Sequence, residues 1–203
     1  MVVLDASVII NLNASGFARE ILAALSERFL VTTNAVEELR RGDDSGHDDR
    51  KKLDTLIAVG SIALAELDDE AYVVYESLID EGRGFSLDDG EAATIAAGAV
   101  WGACVVIDER KARRHCRDDF GTMTVLSSAE LFLHSAIARE IGADAQREAV
   151  IRALQIGRMR VPPECVDSIV SLIGLDLAAE CPSLPRSARP ELRVPLPLPP
   201  VEA

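Results

Sequence analysis

The stretch VVLDASVIINL, residues 2–12, places a single acid inside an otherwise apolar run. Val2 to Leu4 have the composition of a short buried strand, and Asp5 follows them directly. An unpaired carboxylate is costly to bury, because water no longer solvates its charge. Asp5 therefore needs either a structural partner, such as a turn that it caps, or a bound cation.

Composition sets limits on the class of protein. The chain has 203 residues, 48% of them hydrophobic, enough for one domain with a core or for one domain plus an appendage. The net charge of −13 argues against a general nucleic-acid coat, but not against a metal-dependent nuclease, whose site is itself a cluster of carboxylates. No apolar run is long enough for a membrane helix, and no basic signal-peptide region begins the chain, so we expect neither membrane insertion nor export. Dispersed cysteines and histidines do not fit a zinc site and indicate a reduced, cytoplasmic protein.

Strand-like and helix-like stretches alternate along the first 135 residues. The predicted strands are 2–4, 29–33, 61–67, 103–108 and 122–126. The predicted helices are 15–29, 35–41, 51–60, 68–82, 87–102, 109–121 and 128–142, with an exposed loop at 42–52. Asn34 is the expected cap of the helix at 35–41, and Ser127 with Glu130 forms a capping box. This alternation predicts an α/β fold with a mainly parallel sheet.

The remainder of the chain differs in composition. Two further helices are predicted at 144–157 and 162–174, followed by a proline-rich tail from residue 182. We therefore expect a domain at 1–135, a helical extension at 136–181 and a flexible tail at 182–203.

Four acids are expected to meet at one edge of the sheet. Asp5 and Asp108 each end a predicted strand, Glu38 lies on the helix directly after the second strand, and Glu91 lies in the first turn of its helix. Carboxylates from four separate segments repel one another unless cations lie between them. Sites rich in carboxylate oxygen suit Mg²⁺ or Mn²⁺, so the sequence predicts a metal site here.

Each acid also has a structural alternative. Glu38 could be a solvated helix residue paired with Arg41. Asp88 and Glu91 fit a capping box, and Asp108 with the acid after it could favour the start of a helix. The interpretation as a metal site depends on the order and placement of the acids together.

Together these stretches resemble the PIN domain family, the small metal-dependent ribonucleases that include VapC-type toxins. VVLDASVIINL resembles the opening motif of the family, with Asp5 as the first metal-site acid and Ser7 as its polar support. TTNAVEELRRG resembles the second motif, in which Glu38 takes the acid position and Glu37 is the adjacent competitor.

The later motifs complete the resemblance, which covers roughly residues 1–135. LDDGEAATIAAGAV resembles the third motif and assigns its acid to Glu91. VVIDERKARR resembles the fourth, with Asp108 as the acid, and Glu109 could serve instead of it or beside it.

A basic run begins just after Asp108. Arg110, Lys111, Arg113 and Arg114 lie on a predicted helix that leaves the metal edge, where they could contact the phosphates of RNA. A solvated helix face is the alternative for each of them. No Ser–His or Cys–His pair supports a covalent mechanism.

The resemblance implies a three-layer α/β/α domain and an Mg²⁺- or Mn²⁺-dependent endoribonuclease. It further implies an RNA substrate, a homodimer and the toxin role in a type II toxin–antitoxin pair with a small antitoxin protein. A non-catalytic PIN-like module that binds RNA or protein is the alternative. An aspartyl-phosphate phosphotransferase fits less well, because Ser7 stands where such enzymes carry a second acid.

Overall fold

A parallel sheet lies at the centre of the protein. The computed structural model describes residues 1–43, 48–79 and 87–189 of the chain. Within these residues the strands are β1 (Val2–Leu4), β2 (Phe29–Thr32), β3 (Ala63–Ala65), β4 (Cys104–Val106) and β5 (Val125–Leu126). Their order is β3-β2-β1-β4-β5, and every pairing is parallel. The predicted α/β fold with a parallel sheet is confirmed.

Helices connect the strands and continue after the last of them. Up to β5 they are α1 (Ala6–Ser15), α2 (Ala18–Leu25), α3 (Thr33–Asp43), α4 (Asp49–Ala58), α5 (Asp69–Ile79), α6 (Asp89–Trp101) and α7 (Arg110–Asp119). After β5 they are α8 (Ser128–Phe132), α9 (Ser135–Ile141), α10 (Ala143–Gln155), α11 (Val166–Ile173) and α12 (Leu175–Ala179), with 3₁₀ turns at Pro163–Cys165 and Arg186–Ala188.

Alternation of side chains along β1 produces two apolar cores, one on each face of the sheet. Val2 and Leu4 belong to the core that includes residues of α1, α2, α10 and α11. Val3, between them, belongs to the opposite core with residues of α5, α6 and α7. Helices on both faces of a sheet give the three-layer arrangement.

Helix α1 was not predicted, because its polar residues do not form a solvent-exposed face. Most of its positions are buried, including Val8, Ile9 and Leu12. A helix that is buried on nearly all sides lacks the apolar periodicity that identifies a surface helix. The apolar run after Asp5 is therefore a buried helix.

The predicted cap of α3 and the undivided helix predicted at 128–142 are wrong. Helix α3 begins at Thr33, and the side chain of Asn34 does not cap it but donates to Asp89 Oδ2 at 3.2 Å. The predicted helix at 128–142 is divided into α8 and α9, because His134 Nδ1 accepts from the Ala136 N–H and begins a new helix. The predicted capping box of Ser127 and Glu130 is present. Parts of the predicted loop at 42–52 and of the predicted helix at 68–82 lie outside the described residues.

The helices after residue 135 share a core with the residues before it. Leu154 and Ile169 belong to the same apolar cluster as Leu4. The start of the proline-rich segment also packs against the protein, since Leu184 is buried and Ser183 Oγ donates to the Leu154 carbonyl at 3.2 Å. Residues 190–203 lie outside the described residues, and the flexibility of the tail stays a prediction.

Across the described ranges, no single helix has the length and apolar composition needed to cross a membrane. Helices α1 and α2 meet that test only as a pair, and they are bent by 112° at the break between them.

Candidate metal centre

A cavity of about 240 Å³ lies where β1 and β4 end, and it contains all four acids that the sequence singled out. Its lining consists of Asp5, Ser7, Ile10, Asn11, Glu38, Asp88, Glu91, Asp108, Glu109, Gly157, Arg158 and Arg160. Parallel strands end at this edge of the sheet, which is where open α/β folds bind their ligands.

Asp5 has one bonded and one unbonded carboxylate oxygen. Its Oδ2 accepts from the Ser7 backbone N–H at 3.3 Å and from Ser7 Oγ at 2.7 Å, which caps α1. Its Oδ1 is buried and has no hydrogen-bond partner among the described residues. Burial raises the pKa of Asp5 above its ordinary value, although the bonds from Ser7 oppose this. Asp5 thus caps a helix with one oxygen and leaves the other for a ligand.

Glu38 reaches the cavity from α3. Its Oε2 is buried and has no hydrogen-bond partner among the residues that the structure describes. Burial raises the pKa of Glu38 to about 7, and the charges of Asp5 and Asp88 add to this shift. Glu37 is exposed and pairs with Arg40 at 3.2 Å. The structure therefore places Glu38, rather than Glu37, at the cavity.

Glu91 reaches the cavity from the first turn of α6. Its Oε2 accepts from the Asp88 N–H at 3.3 Å, which forms the predicted capping box. Burial raises the pKa of Glu91 to about 8, with repulsion from Asp5 as the next cause. Glu91 is thus both a helix cap and a buried member of the acid cluster.

Gly90 allows α6 to approach α3. A Cβ atom at this position would overlap Glu38 Oε2 and would lie 3.2 Å from the Cα of Ala35. A side chain at this position would displace the Glu38 carboxylate from its place in the cavity and would tighten the contact between α6 and α3.

Asp108 is held by hydrogen bonds to both oxygens. Its Oδ1 accepts from the Ser128 N–H at 2.7 Å, and its Oδ2 accepts from Ser128 Oγ and Asn11 Nδ2, each at 2.7 Å. Burial nevertheless raises the pKa of Asp108 to about 6. Asn11 and Ser128 were not identified from the sequence. Asn11 follows Ser7 by four residues, a spacing that places both on one face of a helix, so recognising α1 as a helix would have indicated it.

Glu109 differs from Asp108 in its partners. It accepts from the Lys111 N–H at 3.5 Å, which caps α7, and it forms an ion pair with Arg160. Both acids line the cavity, but Asp108 is buried whereas Glu109 is partly exposed.

The basic residues of α7 do not share one surface of the protein. Lys111 lines a second cavity that shares Asp88, Glu91 and Glu109 with the first. Arg110 is exposed. Arg114 is also exposed, and it pairs with Asp118 at 3.4 Å.

Arg113 does not lie where a residue that contacts RNA is expected. Its side chain is buried and donates to Glu130 and Glu164, each at 3.2 Å. The residue faces the protein interior, so it joins α7 to α8 and the C-terminal extension instead of presenting a charge to solvent.

The donor set fits a hard divalent cation. Within the ranges that the structure describes, no three His, Cys, Asp or Glu side chains are arranged so that they could hold a metal ion without moving. The cavity does offer two buried carboxylate oxygens without partners, Asp5 Oδ1 and Glu38 Oε2, and further carboxylates around them. Oxygen ligands of this kind suit Mg²⁺ and Mn²⁺, and modest side-chain rotation would be required to complete the coordination.

In a comparison with protein families, a family model described as a PIN domain matches residues 1–175. The matched range extends past β5 and includes α10, α11 and the loop that carries Arg158 and Arg160. Comparison with curated proteins gives no match.

Proposed function

Because the chain belongs to the PIN domain family, whose members are usually nucleases, we propose that it is an Mg²⁺- or Mn²⁺-dependent endoribonuclease. The observation that carries this proposal is Asp5 Oδ1, a buried carboxylate oxygen without a described partner in a cavity lined by further acids. A purely structural cap would leave no reason for the other acids to converge on it. A bound cation would offset their mutual repulsion.

One group of side chains would hold the metal, and a second group orients the first. Asp5, Glu38, Glu91 and Asp108 would hold the metal, with Glu109 as a further candidate at the rim. When bound, the metal supplies an activated water and offsets negative charge on the phosphodiester. Ser7, Asn11 and Ser128 orient Asp5 and Asp108 by their hydrogen bonds, which limits the loss of side-chain entropy on metal binding.

Cleavage of a short single-stranded RNA tests this proposal. We expect cleavage in Mg²⁺ or Mn²⁺, loss of cleavage in excess EDTA, and a decrease by orders of magnitude in Asp5→Asn. Glu76→Gln is the matched control, since this exposed acid on α5 lines none of the cavities at the cluster. A DNA strand of the same sequence distinguishes a ribonuclease from a nuclease of broader specificity. Full activity in EDTA or in Asp5→Asn would contradict the proposal, and RNA binding without cleavage would identify a non-catalytic module.

We further propose that the protein is a cytoplasmic homodimer and the toxin of a pair with a small antitoxin protein. Exposed apolar side chains on α5 support a protein partner: Tyr72 is 50% exposed and Val73 is 66% exposed. Light scattering of the purified protein tests the homodimer, and a monomer mass at all accessible concentrations would contradict it. Growth arrest on expression, relieved by the product of an adjacent reading frame, tests the toxin role.

A further inference from the structure

The loop that follows α10 forms one wall of the acid-lined cavity. Residues 157–160, which we call the 157–160 segment, contribute Gly157, Arg158 and Arg160 to the lining. They are separated from the last strand of the sheet by three helices, and nothing in the four acid motifs includes them. They bring two guanidinium groups to a cavity whose other charged side chains are all carboxylates.

Packing holds the 157–160 segment in place. A Cβ atom on Gly157 would lie 2.7 Å from Asn11 Oδ1 and 3.1 Å from the Cβ of Ala14, so the loop lies directly against α1. Met159 is 1% exposed, and its N–H donates to the Ala153 carbonyl at 2.9 Å. The contact with Asn11 joins the loop to the site, because Asn11 donates to Asp108.

Arg158 adopts an unusual backbone conformation in this loop. Its φ is 54°, in the left-handed region that side chains other than those of Gly, Asn and Asp rarely occupy. The side chain is exposed, and across residues 1–43, 48–79 and 87–189 no hydrogen bond or ion pair joins it to another residue. Arg158 therefore combines a strained backbone with a charged side chain that has no partner, at the edge of a cavity. Such a combination indicates a role in binding a ligand.

The shape of the surface extends past the acids on both sides. A cavity of about 580 Å³ shares Ile10, Glu38, Gly157 and Arg158 with the acid-lined cavity and also includes Lys52. On the other side, the cavity with Lys111 shares three acids with it. The acid cluster is therefore the middle of a longer groove. One lysine lies toward each end, Lys111 on one side and Lys52 on the other, where Lys52 pairs with Asp48 at 2.7 Å.

From this arrangement we propose that Arg158 and Arg160 bind a backbone phosphate of the RNA at the acid cluster, an inference that rests on the proposed function. A phosphate that enters a carboxylate-lined cavity is repelled, and guanidinium groups at the rim offset this repulsion through paired N–H donors. The ion pair of Arg160 with Glu109 keeps its guanidinium at the rim. The C-terminal extension thus completes the substrate site.

Direct binding measurements test this assignment. A short, labelled single-stranded RNA is titrated in Ca²⁺, with gel electrophoresis to verify that it stays intact. Arg158→Asn removes the charge but suits the left-handed backbone, so misfolding does not confuse the result. We expect Arg158→Asn and Arg160→Gln each to weaken RNA binding roughly tenfold. Each variant should also lower the slope of log affinity against log salt by about 0.7, the value for one lost phosphate contact.

Matched variants separate this role from others. Arg139→Gln removes an exposed arginine from α9, outside the groove, and should leave RNA affinity and the salt slope unchanged. Arg158→Lys should retain part of the affinity, because it keeps the charge but loses the paired donors. Calorimetric titration of Mn²⁺ should give no weaker metal binding in Arg158→Asn than in wild type.

Several outcomes would overturn the assignment. The first is that Arg158→Asn and Arg160→Gln bind RNA as tightly as Arg139→Gln does. The second is that wild type does not bind RNA, and the third is that Arg158→Asn loses Mn²⁺ affinity in parallel with RNA affinity. Failure of the proposed function has a different signature, since wild type would bind RNA with the expected dependence on both arginines but would not cleave it in Mn²⁺.

Discussion

Asp108 and Glu109 are neighbours in sequence with different surroundings. Asp108 accepts three hydrogen bonds within the protein, whereas Glu109 is partly exposed and pairs with an exposed arginine. Asp108→Asn would direct an amide N–H₂ at donors from Ser128 and Asn11, which leaves a buried donor without an acceptor. We expect a loss of about 1–3 kcal/mol in the free energy of unfolding together with weaker Mn²⁺ binding.

Glu109→Gln is the comparison for Asp108→Asn. Its exposed ion pair contributes little to stability, so both the melting temperature and the Mn²⁺ affinity should stay close to those of wild type. Thermal melts and Mn²⁺ calorimetry on the two variants measure this. A larger loss of Mn²⁺ affinity in Glu109→Gln than in Asp108→Asn would assign the fourth ligand to Glu109.

The raised pKa values predict how stability depends on pH without metal. Burial raises the pKa of Glu38 to about 7 and that of Glu91 to about 8, so both bind protons more tightly in the folded state than in the unfolded state. Their contribution is greatest below the unfolded pKa and is lost as the pH rises through the folded pKa. The melting temperature in EDTA should therefore fall between about pH 5 and about pH 8.

Comparison with Glu38→Gln isolates this contribution. The variant lacks one titrating group, so the decline should be shallower than in wild type. Mn²⁺ affinity of wild type should rise over the same range, because the carboxylates must lose their protons to bind the metal. Equal slopes in the two proteins would show that Glu38 does not titrate as described.

At the scale of elements, the position of α6 depends on Gly90. Alanine usually favours a helix over glycine, but here its methyl group would overlap Glu38 Oε2 and approach Ala35. We expect Gly90→Ala to weaken Mn²⁺ binding, because the flexible Glu38 carboxylate must rotate away from the added methyl group. Gly121→Ala is the control, since its methyl group would meet only the Arg117 carbonyl, at 3.6 Å. Unchanged Mn²⁺ affinity in Gly90→Ala would mean that the spacing of α3 and α6 does not determine the site.

The elements themselves differ in how well the sequence predicts them. β1 and β4 were predicted because each is a short run of branched apolar residues followed by an acid. The approach of the four acids followed from parallel strands ending at one edge. Helix α1 was missed, because burial on nearly all sides removes the amphipathic pattern. Asn11 was missed with it, since its hydrogen bond to Asp108 joins residues 97 positions apart.

At the scale of the whole molecule, the C-terminal extension was the least predictable part. Helices α10 and α11 were predicted and α12 was not, and a predicted helix does not indicate which surface it covers. The buried position of Met159 and the contact of Gly157 with Asn11 depend on tertiary packing alone. The presence of Arg158 and Arg160 at the acids therefore follows from the structure and not from any local motif.

The metal centre should also determine the stability of the entire fold. Asp5→Asn retains an acceptor for Ser7, so the cap of α1 is kept, and it removes one charge from a cluster of acids. Without metal, the variant should be as stable as wild type or more stable. With metal, wild type should gain about 2.7 kcal/mol at a free Mn²⁺ concentration of about one hundred times the dissociation constant.

Thermal melts of wild type and Asp5→Asn, each in EDTA and in millimolar Mn²⁺, test the central claim that these acids hold a metal. We predict equal or higher stability of Asp5→Asn in EDTA, a large increase of the melting temperature of wild type in Mn²⁺, and loss of most of that increase in the variant. A variant that melts lower than wild type in EDTA and responds equally to Mn²⁺ would contradict the claim, because Asp5 would then be only the cap of α1.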